Sequence, residues 1–148
     1  MSERRFGVIG GGSWATAIVK MLTTNLDSVN WWMRNEKSIQ YIKDNRHNPK
    51  YIKLAELDPA KLNMSTDIKE VVRNSDIIIL ATPSAFLTEV LAPLEDSSFN
   101  GRVVVSSIKG IIPETNEVPA DYLKNHFEVP KEMTGMISGP CHAEEVAM

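Results

Sequence analysis

Cysteine and long apolar runs are scarce in this sequence of 148 residues. Its single cysteine, Cys141, cannot form a disulfide within the chain, which is typical of proteins from a reducing compartment. The first apolar run ends at Gly10, which makes it too short for the apolar core of a signal peptide, and no other run approaches the length of a membrane-spanning helix. The sequence therefore predicts a cytoplasmic protein that does not insert into a membrane.

An excess of positive charge is also missing. The formal net charge is −3, which disfavours binding to a nucleic-acid backbone but allows an anionic small molecule to be held by local donors. His47 and His126 are far apart in the sequence and lack the spacing of metal ligands, so no metal site is predicted. The side chains of the neighbours Cys141 and His142 are expected to diverge, which argues against a catalytic cysteine–histidine pair.

Short apolar runs alternate with helix-forming segments along the chain. The runs at 6–9, 77–81 and 102–106 are continuous, as in parallel strands that are buried on both faces. Further strands are predicted at 29–33 and 133–138, and helices at 14–22, 36–43, 66–73 and 84–91. This order predicts the α/β class, with a doubly wound, mostly parallel sheet that carries helices on both faces.

A glycine-rich turn follows the first predicted strand. Gly10, Gly12 and Ala15 fit the G-x-G-x-x-G/A pattern, in which the first glycine makes the tight turn and the second lets the backbone approach a pyrophosphate. Ser13 is the candidate N-cap of the helix that follows, and the unpaired amides of that first turn favour an anion. The pattern predicts a Rossmann-like dinucleotide site, and a purely structural turn is the alternative.

The residue that follows the second strand bears on the choice of cofactor. An acidic residue roughly 20 positions after the first glycine would bind the ribose hydroxyls of NAD. This sequence has Arg34 there, and a guanidinium suits the 2′-phosphate of NADP or the face of the adenine ring. The arginine favours NADP over NAD, and binding of both is expected. A solvated arginine at a strand end is the alternative.

Seven short segments occur in one order along the whole chain, at 10–17, 32–34, 48–51, 75–77, 81–84, 107–110 and 137–140. Through them the chain resembles bacterial NAD(P)-dependent glycerol-3-phosphate dehydrogenase. Many dehydrogenases share the glycine turn. The Asn-Pro-x-Tyr, Lys-Gly and Gly-Pro segments are more specific in combination.

The resemblance implies which residues contact the cofactor. Gly10 and Gly12 belong to the turn, and Ser13 and Trp14 would lie beside the pyrophosphate. Ala143 would also contact the cofactor, and Arg34 would reach the adenosine ribose or its phosphate.

The resemblance also implies a substrate site. Lys109 would lie near both the nicotinamide and the substrate, and Gly139 and Cys141 would contact the substrate. The family usually has serine and phenylalanine where this chain has Cys141 and His142, so a thiol replaces a hydroxyl contact. The family often has a second basic residue where this chain has Asn35, which weakens the case for a strong NADP preference.

The activity that the resemblance implies is a reversible hydride transfer between NAD(P)H and dihydroxyacetone phosphate. The product, sn-glycerol 3-phosphate, would serve phospholipid precursor synthesis, and the full-length enzyme would form a homodimer. Two alternatives remain open. One is another NAD(P)-dependent hydroxyacid or ketopantoate-type reductase, and the other is a non-catalytic NAD(P)-sensing module.

The domain organisation follows from the end of the chain. Residues 143–148 form a helical pattern without a stop signal, which predicts that more protein follows, and a frayed terminal helix is the alternative. We interpret 1–148 as a dinucleotide-binding domain. In the resembled family a helical C-terminal domain carries the lysine that acts in proton transfer, so this lysine is expected beyond residue 148.

Overall fold

A parallel sheet forms the centre of the computed structural model, which describes residues 3–139 and 142–148. Its strands are β1 (Phe6–Ile9), β2 (Val29–Trp32), β3 (Leu62–Ser65), β4 (Ile77–Leu80), β5 (Val103–Ser106) and β6 (Thr134–Met136). The strand order is β3-β2-β1-β4-β5-β6, and all of these neighbours pair in parallel.

The strand order reverses direction once. From β1 the chain moves outward through β2 to β3, then returns to place β4 on the other side of β1 and continues outward to β6. Ile9 of β1 pairs with Leu80 of β4, so the two strands end side by side. In open parallel sheets the ligand crevice lies at such a reversal, outside the carboxyl ends of the strands. The predicted doubly wound fold is confirmed.

Helices cover both faces of the sheet. They are α1 (Ser13–Asn25), α2 (Glu36–Asn45), α3 (Ile68–Arg73), α4 (Leu87–Leu91), α5 (Pro119–Phe127) and α6 (Ala143–Ala147). One apolar cluster joins Val8 to α1 and α2, and a second joins the next residue, Ile9, to α3, α4 and α5. Successive side chains of a strand point to opposite faces, so this alternation places the core on both sides of the sheet.

Local sequence signals explain where several helices begin. The side chains of Asn35 and Asp67 accept hydrogen bonds from the amides of Lys37 and Lys69, and so cap α2 and α3. The prediction that Ser13 caps α1 is wrong. Gly12 is the N-cap, its carbonyl accepts the Thr16 amide at 3.0 Å, and Ser13 is the first helical residue because the extended glycine ends the turn one position earlier.

The terminal helix α6 packs against α1. Ala147 and Ala17 are both buried in a small cluster with Ala55, and Ala143 and Val146 pack against it. Within residues 3–139 and 142–148, no helix has the length and apolar character needed to cross a bilayer.

Candidate functional site

A crevice of about 510 Å³ opens at the carboxyl edge of the sheet. Segments that follow β1, β4, β5 and β6 line it, and so does the start of α6. The lining residues are Gly12, Ser13, Trp14, Ala81, Thr82, Pro83, Ser84, Ser107, Ile108, Lys109, Ile137, Ser138, Gly139, His142, Ala143 and Glu144. Residues that are far apart in the sequence meet here because parallel strands end at the same edge.

The glycine turn forms one wall of the crevice. Gly10 has a φ of +137°, and a Cβ added to it would lie 2.4 Å from the carbonyl oxygen of Ala81. Glycine is therefore needed where the turn passes the end of β4. Gly12 differs, because a Cβ added there would meet no atom within 4 Å. The backbone at Gly12 is open on the side that a ligand can approach.

The start of α1 supplies an anion-binding end. The first amides of a helix lack intrahelical partners, and the aligned peptide dipoles leave partial positive charge there. The first turn of α1 contains no acidic residue that would neutralise this charge. Because Ser13 and Trp14 of that turn line the crevice, the polar end of a 13-residue helix faces the cavity.

Three side chains hold the turn from behind. The indole Nε1–H of Trp31 donates to the Gly10 carbonyl at 2.6 Å, and the Thr16 hydroxyl donates to the Gly12 carbonyl at 2.8 Å. Asn48 Nδ2 lies 3.4 Å from the Gly11 carbonyl. Each carbonyl of the three glycines therefore has a side-chain donor. The glycine pattern did not reveal these donors, because none of them belongs to it.

Lys109 reaches the crevice from the loop after β5. The Ser106 hydroxyl accepts the Ile108 amide at 3.1 Å, and the Ser107 hydroxyl donates to the Leu80 carbonyl at 2.7 Å. These bonds hold the start of the loop against β4 and β5, so the backbone just before Lys109 is fixed. Gly139 lies on the loop after the neighbouring strand, β6.

Arg34 lies apart from the other predicted contacts. It follows β2, is not among the lining residues, and places a guanidinium nitrogen 3.6 Å from the Glu89 carboxylate of α4. Its Cζ is 5.9 Å from the centroid of the Phe86 ring. Both side chains of this ion pair are about two-thirds exposed, so the pair is screened and a ligand can displace it.

The structure brings most of the predicted site together. Gly12, Ser13, Trp14, Lys109, Gly139 and Ala143 line one cavity, and Gly10 is buried beneath it. The predicted substrate contact Cys141 lies outside the described residues. Sequence reasoning missed the lining contributions of Thr82, Ser84, Ser107 and His142. Their position just after strands or just before a helix was the available signal.

The described part of the chain contains no cluster of three or more histidine, cysteine, aspartate or glutamate side chains that could hold a metal ion.

Curated relatives align with this sequence over nearly its full length. Glycerol-3-phosphate dehydrogenase [NAD(P)+] from Pseudomonas fluorescens is 36% identical over 145 residues, covering 98% of this chain and 41% of the relative. The enzyme of the same name from a Thermoanaerobacter species is 35% identical over 147 residues, covering 96% and 42%. The chain thus spans about two-fifths of the length of these relatives.

Solved structures share the fold. The glycerol-3-phosphate dehydrogenase of Plasmodium falciparum superposes with a TM-score of 0.86 at 26% identity, covering 99% of this chain and 43% of that protein. The enzyme GPD1 of Saccharomyces cerevisiae gives a TM-score of 0.83 at 25% identity, covering 99% and 44%. A sequence model described as NAD-dependent glycerol-3-phosphate dehydrogenase N-terminus matches residues 5–148. With the glycine turn, Lys109 and the Gly-Pro segment all inside that match, the chain belongs to the family of glycerol-3-phosphate dehydrogenase N-terminal domains.

Proposed function

We propose that this chain is the cofactor-binding part of a glycerol-3-phosphate dehydrogenase that uses NADP or NAD. The whole enzyme transfers hydride reversibly between NAD(P)H and dihydroxyacetone phosphate, giving sn-glycerol 3-phosphate. One observation carries the proposal. A single crevice at the carboxyl edge of the sheet is lined both by the first turn of α1 and by Lys109.

The residues of the crevice fit a dinucleotide. A pyrophosphate needs backbone donors and space beside them, and the open face of Gly12 at the start of α1 provides both. We assign Gly10, Gly12, Ser13, Trp14 and Ala143 to the cofactor. Arg34 is assigned to its adenosine half, where Glu89 competes for the guanidinium.

The residues on the other side of the crevice fit an anionic carbonyl compound. A bound reduced nicotinamide supplies the hydride that reduces the substrate carbonyl. Lys109 holds the substrate phosphate or stabilises the negative charge that develops on the carbonyl oxygen. We assign Lys109, Gly139 and Cys141 to the substrate, with Lys109 also adjoining the nicotinamide.

The remaining chemistry is assigned to the part of the enzyme that the relatives have in addition. We place the proton-transfer lysine and most of the substrate pocket in a helical domain beyond residue 148. Residues 1–148 then bind cofactor without appreciable turnover. The whole enzyme is proposed to be a cytoplasmic homodimer that supplies glycerol phosphate for phospholipid synthesis.

Calorimetric titration of the purified chain with NADPH, and then with NADH, tests this function. Binding of either cofactor is expected, with the ratio of the dissociation constants reporting on Arg34. A folded sample that binds neither cofactor at millimolar concentration would refute the proposed site. Appreciable reduction of dihydroxyacetone phosphate by this chain alone would refute the assignment of the proton-transfer group to a further domain.

A further inference from the structure

The side chain of Asn48 is buried directly behind the glycine turn. Asn48 is only 2% exposed, and it belongs to the Asn-Pro-x-Tyr segment that follows α2. Its Nδ2 donates to the Thr16 hydroxyl oxygen at 2.9 Å and lies 3.4 Å from the Gly11 carbonyl. Its Oδ1 accepts the amides of Lys50 and Tyr51 at 3.0 and 3.2 Å. Both ends of the side-chain amide are therefore bonded.

Thr16 links Asn48 to the glycine turn through its hydroxyl group. Its hydroxyl has one proton, and because the oxygen accepts from Asn48, that proton is available for the Gly12 carbonyl at 2.8 Å. Thr16 is fully buried, so water does not compete for these bonds. Asn48 thus acts on the Gly12 carbonyl through Thr16 and on the Gly11 carbonyl directly.

Fixing a carbonyl also fixes the next amide. In a planar trans peptide, the C=O of one residue and the N–H of the next point in opposite directions. Holding the Gly11 and Gly12 carbonyls toward Asn48 and Thr16 therefore turns the N–H groups of Gly12 and Ser13 away from them. These two amides lie at the beginning of α1, where a bound anion would be held.

We propose that Asn48 is a positioning residue, which orients the Gly12 and Ser13 amides for the cofactor pyrophosphate without touching the cofactor. The inference rests on the proposed function, because it concerns the same binding site. It also assigns a task to the Asn-Pro-x-Tyr segment, which none of the proposed contacts with cofactor or substrate uses.

The loop that carries Asn48 is also held in place by a backbone hydrogen bond and a buried side chain at Leu57. The Leu57 amide donates to the Arg46 carbonyl at 2.7 Å, and the Leu57 side chain is 1% exposed. Leu57 has no bond to the glycine turn among the described residues. Leu57→Ala keeps this backbone bond but removes most of a buried side chain, so it loosens the same loop without removing a donor from the turn and serves as the matched control.

The test is calorimetric titration of the 148-residue chain and its variants with NADH. Asn48→Asp keeps the acceptor for the Lys50 and Tyr51 amides but replaces the donor by an oxygen. We expect it to raise the NADH dissociation constant about tenfold or more, the effect of losing roughly one well-placed hydrogen bond. Leu57→Ala should stay within about twofold of the parent chain when both are measured as folded samples.

A second pair of variants keeps the test decisive if Asn48→Asp does not fold. Thr16→Val removes the hydroxyl that links Asn48 to Gly12, and Thr16→Ser retains it. We expect Thr16→Val to weaken NADH binding about tenfold and Thr16→Ser to bind like the parent chain. Amide hydrogen exchange at Gly12 and Ser13 should change in Asn48→Asp and Thr16→Val but not in Leu57→Ala.

The outcomes separate the inference from the proposed function. A parent chain that binds neither NADH nor NADPH would overturn both. A parent chain that binds NADH, with Asn48→Asp and Thr16→Val binding equally well, would overturn the positioning role alone. Equal losses in Leu57→Ala and Asn48→Asp would also overturn it, because the loop and not the amide would then be responsible.

Discussion

The two edges of the sheet treat their polar groups differently. At the amino edge, Arg102 precedes β5 and donates to the carbonyls of Val72, Ser75, Ser98, Asn100 and Arg73. Arg5 precedes β1, and its side chain bonds both carboxylate oxygens of Asp76 at 3.1–3.2 Å. At the carboxyl edge, the first residues of α1 and Lys109 line a cavity instead.

The contrast indicates that polar groups at the amino edge of the sheet stabilise the fold, whereas those at the carboxyl edge are available for binding. The two arginines at the amino edge donate hydrogen bonds to acceptors within the protein, so they join chain segments that lie far apart in the sequence. At the carboxyl edge, side chains of the protein bond the carbonyls of the glycine turn, and the start of α1 that follows the turn lines the cavity. We therefore expect substitutions at the amino edge to change the free energy of unfolding, and substitutions at the carboxyl edge to change binding.

The largest expected change in stability is at Gly10, which is an exception to the contrast because it lies at the carboxyl edge and yet stabilises the fold. Gly10→Ala forces a side chain into a backbone with φ +137° and against the Ala81 carbonyl. We expect the free energy of unfolding to fall by about 3 kcal/mol, measured by denaturant titration. Gly12→Ala has space for its methyl group and loses only the preference for glycine over alanine at the N-cap of α1, so its free energy of unfolding should fall by less than about 1 kcal/mol.

The same pair sharpens the contrast when binding is measured. The methyl group of Gly12→Ala occupies the side from which a pyrophosphate approaches, so its NADH dissociation constant should rise about tenfold. A Gly12→Ala chain that binds NADH like the parent would show that the cofactor does not approach this face.

Arg102 provides the next largest effect. Arg102→Ala leaves several carbonyls without a donor, and we expect the free energy of unfolding to fall by about 2 kcal/mol. The matched change at the other edge is Lys109→Ala, where an exposed side chain is lost and the change should be below about 0.5 kcal/mol. Equal destabilisation of the two variants in urea would contradict the division between the edges.

Arg34 tests the cofactor preference. Arg34→Asp should weaken NADPH binding at least about tenfold more than NADH binding, because only NADPH carries the 2′-phosphate. Glu89→Gln removes the competing carboxylate at 3.6 Å and should strengthen NADPH binding about threefold. Parallel titrations with both cofactors check this, and equal losses in Arg34→Asp would separate Arg34 from the 2′-phosphate.

Asp76 gives the smallest effect, and it depends on pH. Hydrogen bonds from the Arg5 side chain and amide lower the pKa of Asp76 to about 2 from its ordinary value of 3.8. The group therefore stabilises the fold fully above its unfolded pKa, and the contribution is lost as pH falls through the folded value. Asp76→Asn should lower the melting temperature at pH 7 by a few degrees at most, with the difference shrinking between pH 4 and pH 2. A difference that is independent of pH would exclude this cause.

Continuous apolar runs made most of the fold predictable from the sequence. The strands β1, β4 and β5 lie close to their predicted bounds; β1 and β4 are largely buried on both faces, whereas β5 is buried on one face and partly buried on the other. Strand β3 was missed because it lies at an edge of the sheet and includes the polar residues Asn63 and Ser65, which weaken the apolar signal. The predicted strand at 133–138 is shorter in the structure, where β6 covers Thr134–Met136.

The site was predictable where its signals are local. A glycine turn and the residues that end parallel strands can be recognised along the chain, and these account for Gly12, Lys109 and Gly139. Asn48 lies 32 residues from its partner Thr16, and no local rule joins them. Arg34 was predicted as a cofactor contact from its position after β2, and this stays a prediction; its pairing with Glu89 depends on how β2 and α4 come together in three dimensions.

The reversal in strand order also has a consequence for folding. Two of the segments that line the crevice follow β1 and β4, which pair directly although they lie far apart in the sequence; Arg5 and Asp76, which bond just before these strands, are 71 positions apart. Closing such a long loop costs chain entropy before the contacts between the two strands can stabilise it, so pairings of this kind form slowly. Cofactor binding during refolding should therefore appear late, after the helices and the local β1–α1–β2 unit have formed. The onset of dinucleotide binding during refolding would therefore report when β1 and β4 have paired.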